Sequence, residues 1–210
     1  MTGATADKDK RKRLSSEERR EEFLQKAIEF FAEEGFASST RELAKRLDVT
    51  QPLLYRYFAS KDDLISEVYE TVYVRRWRPE WDEILTDRGS PLRERMIRFY
   101  HAYTEVVFQR DWMRIFLFAG LKGGEINRRY IDRVRSRILE PIAREYRREK
   151  GLFAAETTDS EIELAWSVHG GIYYYGVRTE IYGQTPIRGL DYVIETSVDG
   201  LLASLERLHR

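Results

Sequence analysis

Thr40-Arg-Glu-Leu-Ala-Lys-Arg-Leu-Asp-Val-Thr-Gln-Pro-Leu-Leu-Tyr-Arg-Tyr-Phe-Ala-Ser-Lys61 reads as two short amphipathic helices meeting at a tight turn. Leu43, Ala44 and Leu47 take the offsets that place apolar side chains on one helix face, with Arg41, Lys45 and Arg46 outside. Ser39 and Glu42 have the spacing of a capping box at its start. Asp48 and Val49 interrupt the pattern, and the Thr50 hydroxyl is placed to cap a second helix. Pro52 falls in that helix's first turn, where N–H groups lack intrahelical acceptors anyway. Leu54 and Phe58 then share a face, while Gln51, Tyr55, Arg56 and Tyr57 carry polar tips suited to phosphates and base edges.

Two such helices, with a small residue such as Ala44 where they touch, have the form of a helix-turn-helix whose second helix enters the major groove. The run from Leu43 to Lys61, followed by Leu64, resembles the DNA-binding signature of the TetR family of transcriptional regulators, most specifically at Tyr55, Phe58 and Ser60-Lys61. Asp48 stands where that pattern commonly has a turn glycine, and Pro52 where a small residue is frequent. Aspartate tolerates a left-handed turn, so the first departure is mild. From spacing and the matching family positions, Gln51, Leu53 and Arg56 are assigned to base edges, and Thr40, Thr50, Tyr55, Tyr57 and Lys61 to phosphates.

The 210 residues suffice for one or two domains with a real core. Lysine plus arginine and aspartate plus glutamate each number 36, so no global field attracts nucleic acid and DNA affinity must be local. Arg41, Lys45, Arg46, Arg56 and Lys61 against Glu42 and Asp48 supply such an excess. The absence of cysteine removes disulfides and thiolate zinc sites. No leading apolar segment reads as a signal peptide, and the run Ile115 to Leu121 falls well short of the ~20 residues that span a bilayer. The expectation is a soluble, cytoplasmic protein without membrane contact.

Residues 1–14 form a flexible basic arm with Lys8, Lys10, Arg11, Lys12 and Arg13, a solvated tail or a DNA-contacting arm. Residues 15–60 make a three-helix DNA-binding unit: Ser15 and Glu18 open a first helix, Phe23, Ala27, Phe30 and Phe31 face its core, and Gly35 stops it. Residues 61–210 make a larger helical domain. Ser60 caps a helix continuing unbroken toward Arg76, with Lys61 as a phosphate clamp. Arg78 to Ser90 is of mixed character between Pro79 and Gly89, anchored by Trp77 and Trp81. A helix from Ser90-Pro91 to about Gln109 is followed by a fully buried one over Trp112 to Leu121, ended by Gly123 and Gly124. Ile126 to Lys150 reads as one charged helix with Ile131, Val134, Ile138, Ile142 and Tyr146 inward and a kink at Pro141.

Beyond a loop at 151–158, helices span about Asp159 to Ile181 and Asp191 to His209. The first has a stripe of Ile162, Ala165, Trp166, His169, Ile172, Tyr173 and Gly176; the second one of Ile194, Val198, Leu201, Leu205 and Leu208. Two stripes this broad exceed what one subunit need bury, which predicts a four-helix interface in a homodimer, as the resemblance also implies. No strand-type alternation persists, so the fold class is all-α.

Only His101, His169 and His209 are available for acid–base or metal work, without helical metal spacing, and no nucleophile elbow, P-loop or dinucleotide fingerprint occurs. No catalytic residue, metal site or cofactor is therefore assigned. His169 alone would read as a core or interface histidine, and the aromatic stripes as core. The resemblance, however, implies a ligand cavity in the larger domain, and Phe99, Tyr103, Trp112, Phe116, Trp166, His169 and Tyr173 are its candidate lining residues. The combined expectation is a dimeric repressor released from a palindromic double-stranded operator by a small apolar or aromatic effector. The competing readings are a ligand-independent DNA binder and an enzyme retaining a DNA-binding unit.

Overall fold

The computed structural model describes residues 15–121, 125–152 and 156–210. The basic arm, the Gly123-Gly124 stop and part of the 151–158 loop lie outside the described residues. Among those described, the secondary structure is entirely helical. Capping chemistry explains several starts. In α1 (Ser16–Glu34) and α2 (Thr40–Arg46) both halves of the anticipated capping boxes form, from Ser15 with Glu18 and from Ser39 with Glu42. Gly35 ends α1 at φ 72°, a conformation that penalises any Cβ, and such a Cβ would also lie 3.0 Å from the Phe118 ring.

α3 spans Gln51–Tyr55 and α4 spans Lys61–Tyr69, the latter capped by Ser60 through the Asp63 N–H at 3.0 Å. α4 does continue, through a wider π-helical turn over Glu70–Val74 closed by Arg75 N–H on the Glu70 carbonyl. The stretch read as mixed contains a helix, α5 (Glu80–Thr86), which sequence reading missed because it runs for only seven residues between the breakers Pro79 and Gly89. Its signal was Trp81 and Leu85, four apart and both buried.

α6 spans Leu92–Val107 and α7 spans Arg110–Leu121. α7 is not fully buried as its composition suggested. Trp112, Met113, Ile115 and Ala119 are covered by neighbours that include α1, but the last turn is left open and Leu121 is 85% exposed. α8 (Glu125–Val134) and α9 (Glu140–Glu149) are joined by a π-helical turn, Arg135–Leu139. Pro141 lacks the N–H that would bond to Arg137 and its ring crowds that carbonyl; the ladder widens just before it, with Glu140 N–H reaching back to Arg135 O. Ile131, expected inward, is 43% exposed, and Tyr130 takes the buried position beside it.

α10 (Asp159–Gly176), extended by a π-helical turn over Val177–Ile181, packs against α11 (Leu190–Leu208). Their predicted stripes are buried or half-buried within this one chain, apart from Leu208, which lies exposed in the last turn. The stripes therefore face the subunit's own core. The surface facing outward is a different one, with Ser167, Gly170, Gly171 and Tyr174 on α10 and Gly200 and Ala203 on α11. No helix of the described residues is long and apolar enough to cross a membrane. One contiguous core runs through the described chain, from Phe31 and Phe58 near the helix-turn-helix to Tyr73, Trp81, Phe99 and Trp112.

Candidate nucleic-acid interface and ligand cavity

The turn between α2 and α3 is built by paired bonds that reverse the chain: Val49 N–H to Ala44 O at 3.0 Å and Asp48 N–H to Lys45 O at 3.1 Å. This is a Schellman motif, which demands a left-handed residue at the position after the cap. Asp48 holds it at φ 55°, as the tolerance of aspartate for that region allows. Leu43 and Ala44 are buried and α2 packs against α3, fixing the second helix to the first.

Thr50 adopts the extended N-cap backbone, but its hydroxyl makes no capping bond. The chemistry is local. Of the N–H groups an N-cap oxygen normally accepts from, Pro52 has none, and that of Leu53 already bonds to the Thr50 carbonyl at 3.0 Å. The hydroxyl is left without a capping role, on an exposed residue.

Thr40, Gln51 and Tyr55 come together in one hydrogen-bonded group. Gln51 Nε2 donates to Thr40 Oγ1 at 2.9 Å, and Thr40 Oγ1 shares a proton with the Tyr55 hydroxyl at 2.8 Å. Thr40 is only 7% exposed, whereas Tyr55 is 38% exposed. Tyr57 packs edge-on against Phe23 at 5.2 Å, Leu53 is half-buried, and Arg56 is exposed. Lys61 donates to the carbonyls of Phe36 and Ser38, each at 2.7 Å, bracing the loop between α1 and α2. Arg46 is drawn to Glu33 at 2.6 Å. An open groove beside the turn is lined by Arg41, Lys45, Asp48, Thr50 and Gln51 among others. Arg41 and Lys45 are exposed and were counted in the sequence only as local charge.

In the larger domain, Tyr103, Trp112, Phe116, Trp166, His169 and Tyr173 converge on a cavity of about 160 Å³, as their helical phases suggested. Phe99 does not reach it; fully buried, it stacks behind Tyr103 at 5.4 Å. Tyr130, Ile131, Val134 and Gly170 complete the wall and were missed. Tyr130 and Val134 were recoverable from the four-residue spacing they share with Ile138 on α8 and its extension. Among the described residues, no ionisable acid, lysine or arginine lines the cavity. Tyr103 and Tyr130 hydroxyls are 2.7 Å apart, and His169 Nε2 lies 3.4 Å from Tyr103. Burial holds the His169 imidazole neutral, with its pKa lowered to about 4. The same burial pushes the Tyr103, Tyr130 and Tyr173 hydroxyls well up, so the wall carries no charge at neutral pH.

Two cavity helices also grip the elements that flank the helix-turn-helix. Arg114 of α7 donates to the Ala32 carbonyl and, at 3.1 Å, to that of Glu33, covering the open end of α1. Arg129 of α8 lies 4.2 Å from the Tyr69 ring and 3.5 Å from the Glu70 carboxylate.

Residues 23–68 match the family described as bacterial regulatory proteins, tetR family. Among solved structures, the chain resembles a TetR-like transcriptional regulator from Rhodococcus sp. RHA1 at 20% identity, TM-score 0.66, over 91% of this chain and 99% of that one. A TetR-family regulator from Streptomyces coelicolor is 16% identical, TM-score 0.64, over 94% and 85%. SmeT, the repressor of the Stenotrophomonas maltophilia multidrug efflux pump SmeDEF, is 20% identical, TM-score 0.60, over 88% and 89%. The sequence match is thus seated on the helix-turn-helix, and the fold of TetR-like regulators is shared along nearly the whole chain.

Proposed function

We propose that the protein acts in the cytoplasm as a homodimeric repressor, released from a palindromic operator by a small neutral aromatic or apolar effector. The observation that carries this reading is the double engagement of α7 and α8, which wall the cavity and hold α1 and α4 through Arg114 and Arg129. A ligand that prefers one arrangement of these helices shifts the recognition helix with it, in proportion to its differential affinity for the two states. The cavity's uncharged wall favours a neutral effector, because an ion there would lose its hydration without gaining a counter-charge.

The functional units are residues 15–60 for DNA and 61–210 for ligand and dimer. In a dimer, two α3 helices enter successive major grooves about 34–36 Å apart. The outward face of α10 and α11 supports the pairing, since a Cβ placed at Gly170, Gly171 or Gly200 would meet nothing within 4 Å. Gln51, Leu53 and Arg56 are assigned to base edges. Thr50, Tyr55 and Lys61 are assigned to phosphates, Lys61 while holding the α1–α2 loop; Thr40 and Tyr57 act mainly by fixing their neighbours.

Mobility shift on DNA upstream of the protein's own gene tests the assignment. Arg56→Ala should weaken binding and relax sequence preference, and Lys61→Ala should weaken it evenly across sequences. Wild-type affinity in both variants refutes the site. A thermal-shift panel of neutral aromatics and their carboxylated analogues tests the cavity: neutral compounds should raise the melting temperature and release DNA, and preference for the anions would overturn the assignment.

A further inference from the structure

Gln51, the first residue of α3, has its amide nitrogen on Thr40, while its carbonyl oxygen has no partner among the described residues. Thr40 is buried and its hydroxyl has one proton and two lone pairs. Tyr55, one turn further along α3, is the third member and the most exposed of them. The direction in which protons run through this group is set by what Tyr55 does with its own proton. If Tyr55 donates outward to a phosphate oxygen, its lone pair receives the Thr40 proton. Thr40 then has only lone pairs to offer Gln51, which must present its N–H inward and its carbonyl oxygen outward.

We infer that Tyr55–Thr40–Gln51 is a directional hydrogen-bond relay in which a DNA phosphate held by Tyr55 fixes the Gln51 amide, so that Gln51 reads adenine. This rests on the DNA-binding reading above. The outward carbonyl accepts from adenine N6, and the second amide N–H is left for N7, the pairing that glutamine makes with adenine in the major groove. A glutamine without such a lock can turn its amide over and serve donor and acceptor bases alike. Thr40 is thus a positioning residue: buried beneath the recognition helix, it acts on base choice through Gln51. Tyr55 links a contact that carries no sequence information to one that does.

Selection of bound sites from a randomised duplex library, followed by titration of single-base operator variants, tests the relay. Gln51→Ala identifies the base pair that Gln51 reads, as the position where preference disappears. There the wild type should favour adenine by roughly 5- to 10-fold over each other base. Thr40→Val, nearly isosteric, and Tyr55→Phe should each reduce that preference below about twofold, whereas Thr40→Ser should retain it. Gln51→Glu, an acceptor only, should move it to cytosine. The relay is overturned if Thr40→Val keeps the adenine preference, if the wild type selects guanine or thymine at that position, or if Tyr55→Phe weakens all operators equally. Failure of the wild type to enrich any sequence would remove the DNA-binding reading itself, and the relay with it.

Discussion

Acidification isolates His169 from the rest of the chain. Its imidazole is 7% exposed, hydrogen-bonded only weakly to Tyr103, and unpartnered at Nδ1. Burial lowers its pKa from 6.5 to about 4. Between those limits the unfolded chain binds a proton that the folded chain refuses, so stability is complete above pH 6.5 and falls as pH drops toward 4. Evaluating the linkage gives a loss of about 2 kcal/mol between pH 7 and pH 5, growing to about 3 kcal/mol at pH 4. Urea unfolding at fixed protein concentration, compared between wild type and His169→Gln, measures it. Both proteins share His101 and His209, so the difference in their pH slopes belongs to His169. With only three histidines, the imidazole can also be followed by NMR. Equal pH slopes in the two proteins, or a His169 titration near 6.5, would refute the neutral-wall argument and with it the preference for uncharged effectors.

Asp48→Gly should raise stability by up to about 1 kcal/mol by removing left-handed strain, and Asp48→Val should lower it by about 1–2 kcal/mol; thermal unfolding of the pair checks the signs. Arg114→Ala uncovers two carbonyls at the end of α1 and should cost about 1–2 kcal/mol. It should also leave operator binding insensitive to an effector that still binds, which calorimetry beside mobility shift would reveal. Burial raises the Glu161 pKa, but Arg147, Thr158 and His209 outweigh it, so the carboxyl titrates below its usual 4.5. Its contribution is therefore present above pH 4.5 and lost as pH falls through the lowered value. Glu161→Gln should cost about 3 kcal/mol at pH 7, with the gap to wild type narrowing in acid.

The capping boxes, the left-handed Asp48 and the apolar phases of α6, α10 and α11 were all legible in sequence because each depends on residues within one or two turns. The helix-turn-helix was legible for the same reason: its turn chemistry, small contact residue and recognition tips lie in one run of 22 residues, Thr40 to Lys61. Six of the seven proposed cavity residues reached the cavity because an apolar aromatic face turns inward wherever it packs. Which inward faces border a void and which merely stack is a matter of distances between helices, and these placed Phe99 behind Tyr103 and admitted Tyr130.

Hydrogen-bond partners far apart in sequence were beyond local reasoning. Lys61 looked outward until it met the carbonyls of Phe36 and Ser38, 25 and 23 residues away. The sequence by itself determined a helical fold with a helix-turn-helix, because helix periodicity and capping are short-range. Tertiary structure alone decided which side chains hold one another: Arg114 to α1, Arg129 to Tyr69, and Thr40 between Gln51 and Tyr55. A hydrogen bond depends on position in space to within a few tenths of an ångström, and no spacing along the chain specifies that.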